Sequence, residues 1–87
     1  MKGIRGILKE RAETHGEFRL QAATSQQLKY AMRVAGDWTS LEPYKREALD
    51  MIQHKISRVI NGDSDFKDTW IDIIGYAQLV VDRLEEK

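Results

Sequence analysis

The sequence contains no cysteine, a single proline, and no apolar run that approaches the length of a membrane span. Without cysteine the chain forms neither disulfides nor thiolate metal sites, which fits a reducing compartment. A membrane-spanning helix needs about 20 mostly apolar residues, so we expect no membrane partner. The first residues, MKGIRGILKERAE, are too charged for a secretory signal. We therefore expect a cytoplasmic protein.

An excess of charge of either sign is also missing, because 14 basic residues balance 14 acidic ones. Proteins that bind nucleic acids usually carry a net basic charge or a dense basic stripe, so we expect no nucleic-acid partner. The 87 residues suit a single helical domain, residues 1–87, with a small core. Self-association is a natural way for such a chain to bury more surface, so we expect a homodimer.

Hydrophobic periodicity predicts four helices, at about residues 2–14, 19–35, 41–60 and 66–84. Glycines follow the first three and provide stop signals, with Asn61 and Gly62 after the third. Thr39 and Glu42 have the spacing of a capping box, and Asp65 is the expected N-cap of the last helix. Short links and the lack of alternating strand patterns predict an all-α fold, a compact antiparallel bundle of about four helices.

The apolar faces of these helices are predicted to form the core. For the third helix they are Leu49, Ile52, Ile56, Val59 and Ile60; for the fourth they are Phe66, Trp70, Ile73, Ile74, Ala77, Val80, Val81 and Leu84. The other side of the fourth helix carries Asp68, Asp72, Gly75 and Leu79. A glycine and a leucine among acids suggest that a partner helix or a ligand covers this side. Alternatively, Asp68 complements the helix dipole and Asp72 is an ordinary solvated charge.

Two basic residues of the third helix are candidates for a site. Lys55 falls within the apolar arc and Arg58 lies at its edge, so the simplest explanation is that their long stems cover apolar surface while the charges reach water. Because antiparallel neighbours bring the end of the third helix near the start of the fourth, Lys55 and Arg58 are instead expected to face Asp68 and Asp72. His54 is expected to be solvated.

Several segments together resemble a family of small, uncharacterised all-α domains from tailed phages and prophages. They are Asp37-Trp38, Lys55-x-x-Arg58, Asn61-Gly62-Asp63, and Trp70-x-Asp72-x-x-Gly75-Tyr76; Arg11 and His15-Gly16 supply an N-terminal piece. The similarity runs from about residue 8 to residue 80. This family is in turn distantly similar to the MazG-like nucleoside triphosphate pyrophosphohydrolases, which are helical bundles, often dimeric, that use two acidic motifs to bind Mg²⁺.

The resemblance implies a MazG-like fold, a nucleotide ligand and Mg²⁺ as cofactor. Asp68 and Asp72 would bind the metal, and Lys55, Arg58 and Arg11 would bind phosphates, with His15, Gly75 and Tyr76 as further site residues. The chain departs from the enzymes at two points. Thr69 stands three residues before Asp72, where they have an acid, and Lys55-x-x-Arg58 stands where they have Glu-x-x-Glu.

Two functions of different classes follow. The first is a phage-type, MazG-like nucleotide-handling domain that either sequesters a nucleotide with Mg²⁺ or hydrolyses it to a monophosphate and pyrophosphate; whether it is an enzyme stays open. The alternative is a non-catalytic helical phage protein that binds and modulates or inhibits a host protein through exposed aromatic residues such as Tyr30, Trp38 or Tyr44. His15 has a similar alternative, because a histidine before a helix-ending glycine also suits the helix dipole.

Overall fold

A computed structural model describes residues 3–86, which form four α-helices and one short 3₁₀ helix. The α-helices are α1 (Ile4–His15), α2 (Phe18–Val34), α3 (Pro43–Asn61) and α4 (Lys67–Glu85), and the 3₁₀ helix covers Trp38–Ser40. No strand occurs within this described part. The prediction of an all-α helical bundle is therefore confirmed, and the predicted start of the first helix at residue 2 lies outside the described residues.

Helix α3 is the central element, and α2 and α4 pack against it on either side. The links on both sides of α3 are short, and the contacts run in opposite order along neighbouring helices. On one side Asn61 pairs with Thr24 and Asp50 with Arg33. Both neighbours of α3 are therefore antiparallel to it, as predicted. Helix α1 contacts the bundle mainly through its C-terminal end, which meets the turn after α3.

The helix ends agree with the predicted stop signals more closely than with the predicted caps. Gly16 caps α1 and Gly62 caps α3. The capping box at Thr39 is wrong, because α3 begins at Pro43 with Glu42 as its N-cap residue and Thr39 lies in the 3₁₀ helix. The N-cap of α4 is Phe66 rather than Asp65. Asp65 instead donates its backbone N–H to the Asp63 carboxylate in the preceding turn, at 2.9 Å.

A close approach of two backbones joins α1 to the end of α3. Gly16 has φ +88°, and a Cβ there would overlap the carbonyl oxygen of Asn61. A Cβ at Gly62 would likewise overlap the backbone of His15, and Asp63 donates its N–H to the Thr14 carbonyl at 2.9 Å. With φ positive and ψ near 180°, Gly16 occupies a conformation that essentially only glycine adopts. The two glycines thereby fix the position of His15.

The buried side chains between α2 and α3 are polar, contrary to the predicted apolar core. Ser25 donates its hydroxyl to Gln53 Oε1 at 3.1 Å, and both residues are buried. Asn61 donates its amide N–H to Thr24 Oγ1 at 2.9 Å. Gln21 is also buried on this face of α2. These bonds satisfy groups that would otherwise be costly to bury.

The predicted apolar faces of α3 and α4 are largely exposed, so that prediction is wrong for the chain as described. Leu49, Ile56 and Ile60 of α3 are exposed, and so are Trp70 and Ile74 of α4. The residues that α3 does bury are Ala48, Gln53, Lys55 and Ser57, and α4 buries Thr69. The helices therefore meet through small and polar side chains.

Candidate functional site

A groove with basic side chains lies where α1, α2 and α3 meet. It has a volume of about 510 Å³ and is lined by Leu8, Arg11, Ala12, His15, Gly16, Phe18, Gln21, His54 and Arg58. Helix α1 ends at His15 and α2 begins at Phe18, so the link at Gly16 forms one wall. The turn geometry that requires glycine there is therefore part of the site.

Four basic side chains reach the groove from two helices. Arg11 and His15 are one turn apart on α1, and His54 and Arg58 are one turn apart on α3. Side chains at i and i+4 lie on the same helix face, so each helix contributes one pair. No aspartate or glutamate lines this groove among the described residues. The arrangement favours an anionic ligand.

Two nitrogen atoms at the groove are buried without a hydrogen-bond partner among the described residues. They are Arg58 Nε and His15 Nδ1. Buried polar atoms are usually hydrogen-bonded, and the Arg58 Nε–H is a donor in every protonation state. His15 is held in place by an edge-on contact with Phe66, whose ring centroid lies 5.8 Å away. The hydrogen-bonding capacity of both atoms is therefore unsatisfied within residues 3–86.

The pKa of both histidines is lowered from the ordinary value of 6.5. For His15 the main cause is burial, followed by the positive charges of Arg58, Lys55 and Arg11, while Asp72 acts in the opposite direction. The pKa of His54 is lowered by burial first, then by Arg58 and Lys55. Both imidazoles are therefore neutral at pH 7, and the arginines carry the positive charge of the groove.

Lys55 and Asp72 form an ion pair beside the groove, with Nζ and Oδ2 3.2 Å apart. Lys55 is buried, whereas the Asp72 side chain is about half exposed. The predicted approach of the third helix to the acids of the fourth is thus observed for this pair. Arg58 instead lines the groove. Asp68 is exposed in the first turn of α4 and, among the described residues, forms no ion pair with Lys55 or Arg58.

A magnesium site at Asp68 and Asp72 stays a prediction. Mg²⁺ is usually bound by one or two carboxylates together with phosphate oxygens and water, and two acids one turn apart fit that pattern. Because Lys55 contacts one Asp72 oxygen, the metal would share this carboxylate with an ammonium group. Within residues 3–86, no group of three or more His, Cys, Asp or Glu side chains is placed to hold a metal ion.

Two of the residues expected in the site lie elsewhere. Tyr76 lines a separate cavity of about 220 Å³ with Tyr44, Ala48 and other residues. Gly75 is exposed, and a Cβ built on it would meet nothing within 4 Å. The structure therefore does not bring Gly75 or Tyr76 to the basic groove.

Sequence reasoning missed His54 and Gln21. His54 was expected to be solvated, but it is partly buried in the groove, and its Nε2 lies 3.4 Å from Gln21 Nε2. The spacing of His54 and Arg58, four residues apart, is a signal that could have placed both on one face. Gln21 gives no comparable signal, because its burial depends on the polar packing of α2 against α3.

Comparisons with models of protein families, with curated protein sequences and with solved structures found no significant match. Among the described helices, none combines the length and apolar character needed to cross a membrane. The function must therefore be inferred from the groove itself.

Proposed function

We propose that this domain binds a nucleotide, with the phosphates in the basic groove. The observation that carries the proposal is the convergence of Arg11 and Arg58 on one cavity, with the buried Arg58 Nε unpartnered. Arginine is the side chain best suited to phosphate, because its planar guanidinium donates parallel hydrogen bonds to two oxygens. His15 and His54 lie on the same surface, and each neutral imidazole carries one N–H donor.

The size and the apolar part of the groove favour a nucleotide over inorganic phosphate. Small-molecule sites usually have volumes of about 300 to 1,000 Å³, and this groove has about 510 Å³. Phe18 and Leu8 lie on its lining, and Phe18 is 77% exposed. An exposed aromatic ring is a surface on which a base can stack.

Lys55, Asp72 and Asp68 extend the proposed site toward a metal. Lys55 lies one turn before Arg58 on α3, and its positive charge lowers the pKa of both histidines. A nucleotide phosphate near Lys55 would compete with Asp72 for the ammonium group and release carboxylate oxygens. Asp68 and Asp72 would then hold the Mg²⁺ that accompanies the phosphates. This is binding, or sequestration, in the cytoplasm, where nucleotides and Mg²⁺ are abundant.

The proposal is tested by thermal-shift and calorimetric titration with ATP, dATP, AMP and inorganic phosphate, with Mg²⁺ and with EDTA. A ligand at 100 times its Kd stabilises the native state by about 2.7 kcal/mol. We expect a nucleotide to raise the melting temperature more than inorganic phosphate does. Arg58→Gln and Arg11→Gln should each weaken nucleotide affinity at least tenfold, which is about 1.4 kcal/mol.

Arg83→Gln is the matched control, because Arg83 is an exposed arginine on α4 whose partner is Glu86. Its nucleotide affinity should stay within about twofold of the wild-type value, since Arg83 does not line the groove. Equal affinity in Arg58→Gln and Arg83→Gln would contradict the groove assignment. A flat response to all four ligands would favour the alternative, a protein-binding module of the phage type.

A further inference from the structure

The described chain keeps its large apolar side chains at the surface. Ala48 is its only buried apolar residue, while the exposed ones include Leu49, Ile74 and Leu84. Hydrophobic burial is the main favourable contribution to folding, but the side chains buried between α2 and α3 are polar. A chain folded in this way lacks an apolar core of its own.

The exposed surface is also too large for a monomer of this mass. Compact monomers of 10.1 kDa expose about 5,300 Å² by the usual scaling with mass, whereas this chain exposes 6521 Å². The difference, about 1,200 Å², exceeds the roughly 800 Å² that each partner buries in a standard interface. The radius of gyration, 15.0 Å, is likewise above the value of about 12 Å for 87 compact residues.

The exposed apolar residues of α4 repeat at the spacing of a helix-packing seam. Trp70, Ile74, Ala77, Val81 and Leu84 follow one another at intervals of four, three, four and three residues, and all are exposed. This alternation keeps one stripe of a helix facing a partner helix over several turns.

Helix α3 has a second apolar stripe, which lies beside the stripe of α4. Leu49, Ile52 and Ile56 are spaced by three and four residues, and Leu49 and Ile52 line two adjoining cavities of about 420 and 340 Å³. The first cavity extends to Trp38 and the second to Ala77 and Leu84. The two stripes therefore form one continuous apolar face, called here the α3–α4 face.

We propose that the α3–α4 face is covered by the same face of a second copy of this chain. Two antiparallel helices from each copy would make a four-helix packing unit around a two-fold axis. A second copy is favoured over another protein because the lone chain has almost no apolar core, so it needs a partner that is present whenever it folds. With 14 basic and 14 acidic residues, two copies meet without net repulsion.

Sedimentation equilibrium of the purified chain tests the interface. We expect twice the chain mass of 10.1 kDa at micromolar concentration, and a melting temperature that rises with protein concentration. Leu49→Glu should weaken self-association at least a hundredfold, because it places a carboxylate in the apolar face. Tyr30→Glu is the control, since Tyr30 is an exposed aromatic residue of α2 that lines neither cavity, and its dimer should be unchanged.

A second measurement tests the interface even if the Leu49→Glu variant does not fold. The chain has no cysteine, so Val81→Cys and Tyr30→Cys each carry a single spin label. We expect an immobilised label at position 81 and a mobile label at position 30. A folded monomer at all concentrations, or a mobile label at position 81 in the wild-type background, would overturn the proposal. A dimer broken by Tyr30→Glu and not by Leu49→Glu would do the same.

Discussion

Lys55 of α3 and Asp72 of α4 form an ion pair in which one partner is buried and the other is half exposed. The difference in burial matters for stability. Removing the partner of a buried charge destabilises a fold more than removing the buried charge itself. Lys55 also has Arg58 and His15 nearby, so Asp72 is the acid that balances a basic cluster. The two residues should therefore respond differently to neutral substitutions.

Asp72→Asn is expected to destabilise the fold, by about 1 to 2 kcal/mol, because it leaves the Lys55 ammonium buried without a counter-charge. Lys55→Met should cost less than 1 kcal/mol, since the apolar side chain keeps the volume and leaves only an exposed carboxylate. Urea denaturation of both variants measures the difference. Larger destabilisation in Lys55→Met than in Asp72→Asn would show that the ion pair contributes through something other than desolvation of the lysine.

The nucleotide affinity of Asp72→Asn, measured with and without Mg²⁺, distinguishes a structural role of Asp72 from a metal-binding role. In EDTA, Asp72→Asn should bind a nucleotide at least as well as the wild type, because it removes a negative charge next to the groove. If Asp72 holds Mg²⁺, the gain in affinity that Mg²⁺ gives the wild type should disappear in the variant. An unchanged Mg²⁺ effect in Asp72→Asn would remove this residue from the metal site.

Gly16→Ala is expected to disrupt the junction between α1 and α3. The backbone conformation at Gly16 costs a side chain about 1 to 3 kcal/mol, and the overlap with the Asn61 carbonyl adds about 1 to 3 kcal/mol of overpacking. Nucleotide affinity should fall as well, because His15 is displaced. Stability is measured by urea denaturation and affinity by calorimetry.

Gly36→Ala is the matched control for the junction. Gly36 has φ +61°, but a Cβ there would meet nothing within 4 Å. Gly36→Ala should lose about 1 to 2 kcal/mol of unfolding free energy, from the backbone conformation alone. It should bind nucleotide as the wild type does. Equal losses in the two variants would mean that the close contact of Gly16 with Asn61 adds nothing to stability.

Local signals predicted the helices well because they depend on residues close in sequence. Gly16 and the Asn61-Gly62 pair ended their helices as expected, since the end of a helix is set within a turn. The approach of Lys55 to Asp72 was also predictable, because a short link forces neighbouring helices to be antiparallel. The MazG-like relationship, the nucleotide, the metal and the host-protein alternative remain predictions.

Which faces are buried could not be predicted from periodicity alone. The pattern at Leu49, Ile52 and Ile56 shows that an apolar face exists, but it does not say whether the same chain or another covers it. Gln21 and Gln53 are buried because they are part of the polar α2–α3 packing. Such packing depends on partners more than 25 residues apart, as for Ser25 and Gln53, and leaves no periodic signal.

The two groove histidines predict that anion binding is coupled to proton uptake. Burial, Arg58 and Lys55 lower the pKa of both histidines. Arg11 also lowers the pKa of His15 and Lys29 that of His54, whereas Asp72 raises the pKa of His15. A bound phosphate adds negative charge and should raise the pKa of His15 and His54 toward or above 6.5. Protons are then taken up on binding, so nucleotide affinity should increase as the pH falls from 7.5 to 6.

The stability of the free protein should fall as the pH falls, whereas its nucleotide affinity should rise. Because both histidines have a lower pKa in the folded state than in the unfolded chain, the unfolded state takes up protons first as the pH falls below about 6.5. Acid therefore destabilises the free fold over this window, and the loss is complete once the pH lies below the folded pKa values. Denaturation curves at pH 7.5 and 5.5 measure this contribution.

Calorimetry in buffers of different ionisation enthalpy counts the protons taken up on nucleotide binding. A variant with both His15→Gln and His54→Gln corrects for the titration of the nucleotide phosphates, since those titrate in either protein. The wild type should take up more protons than the double variant at pH 6.5, and the two should agree at pH 8. If the wild type and the double variant take up equal numbers of protons at pH 6.5 as well as at pH 8, the anion binds away from the histidines. It would then lie outside the groove between α1 and α3.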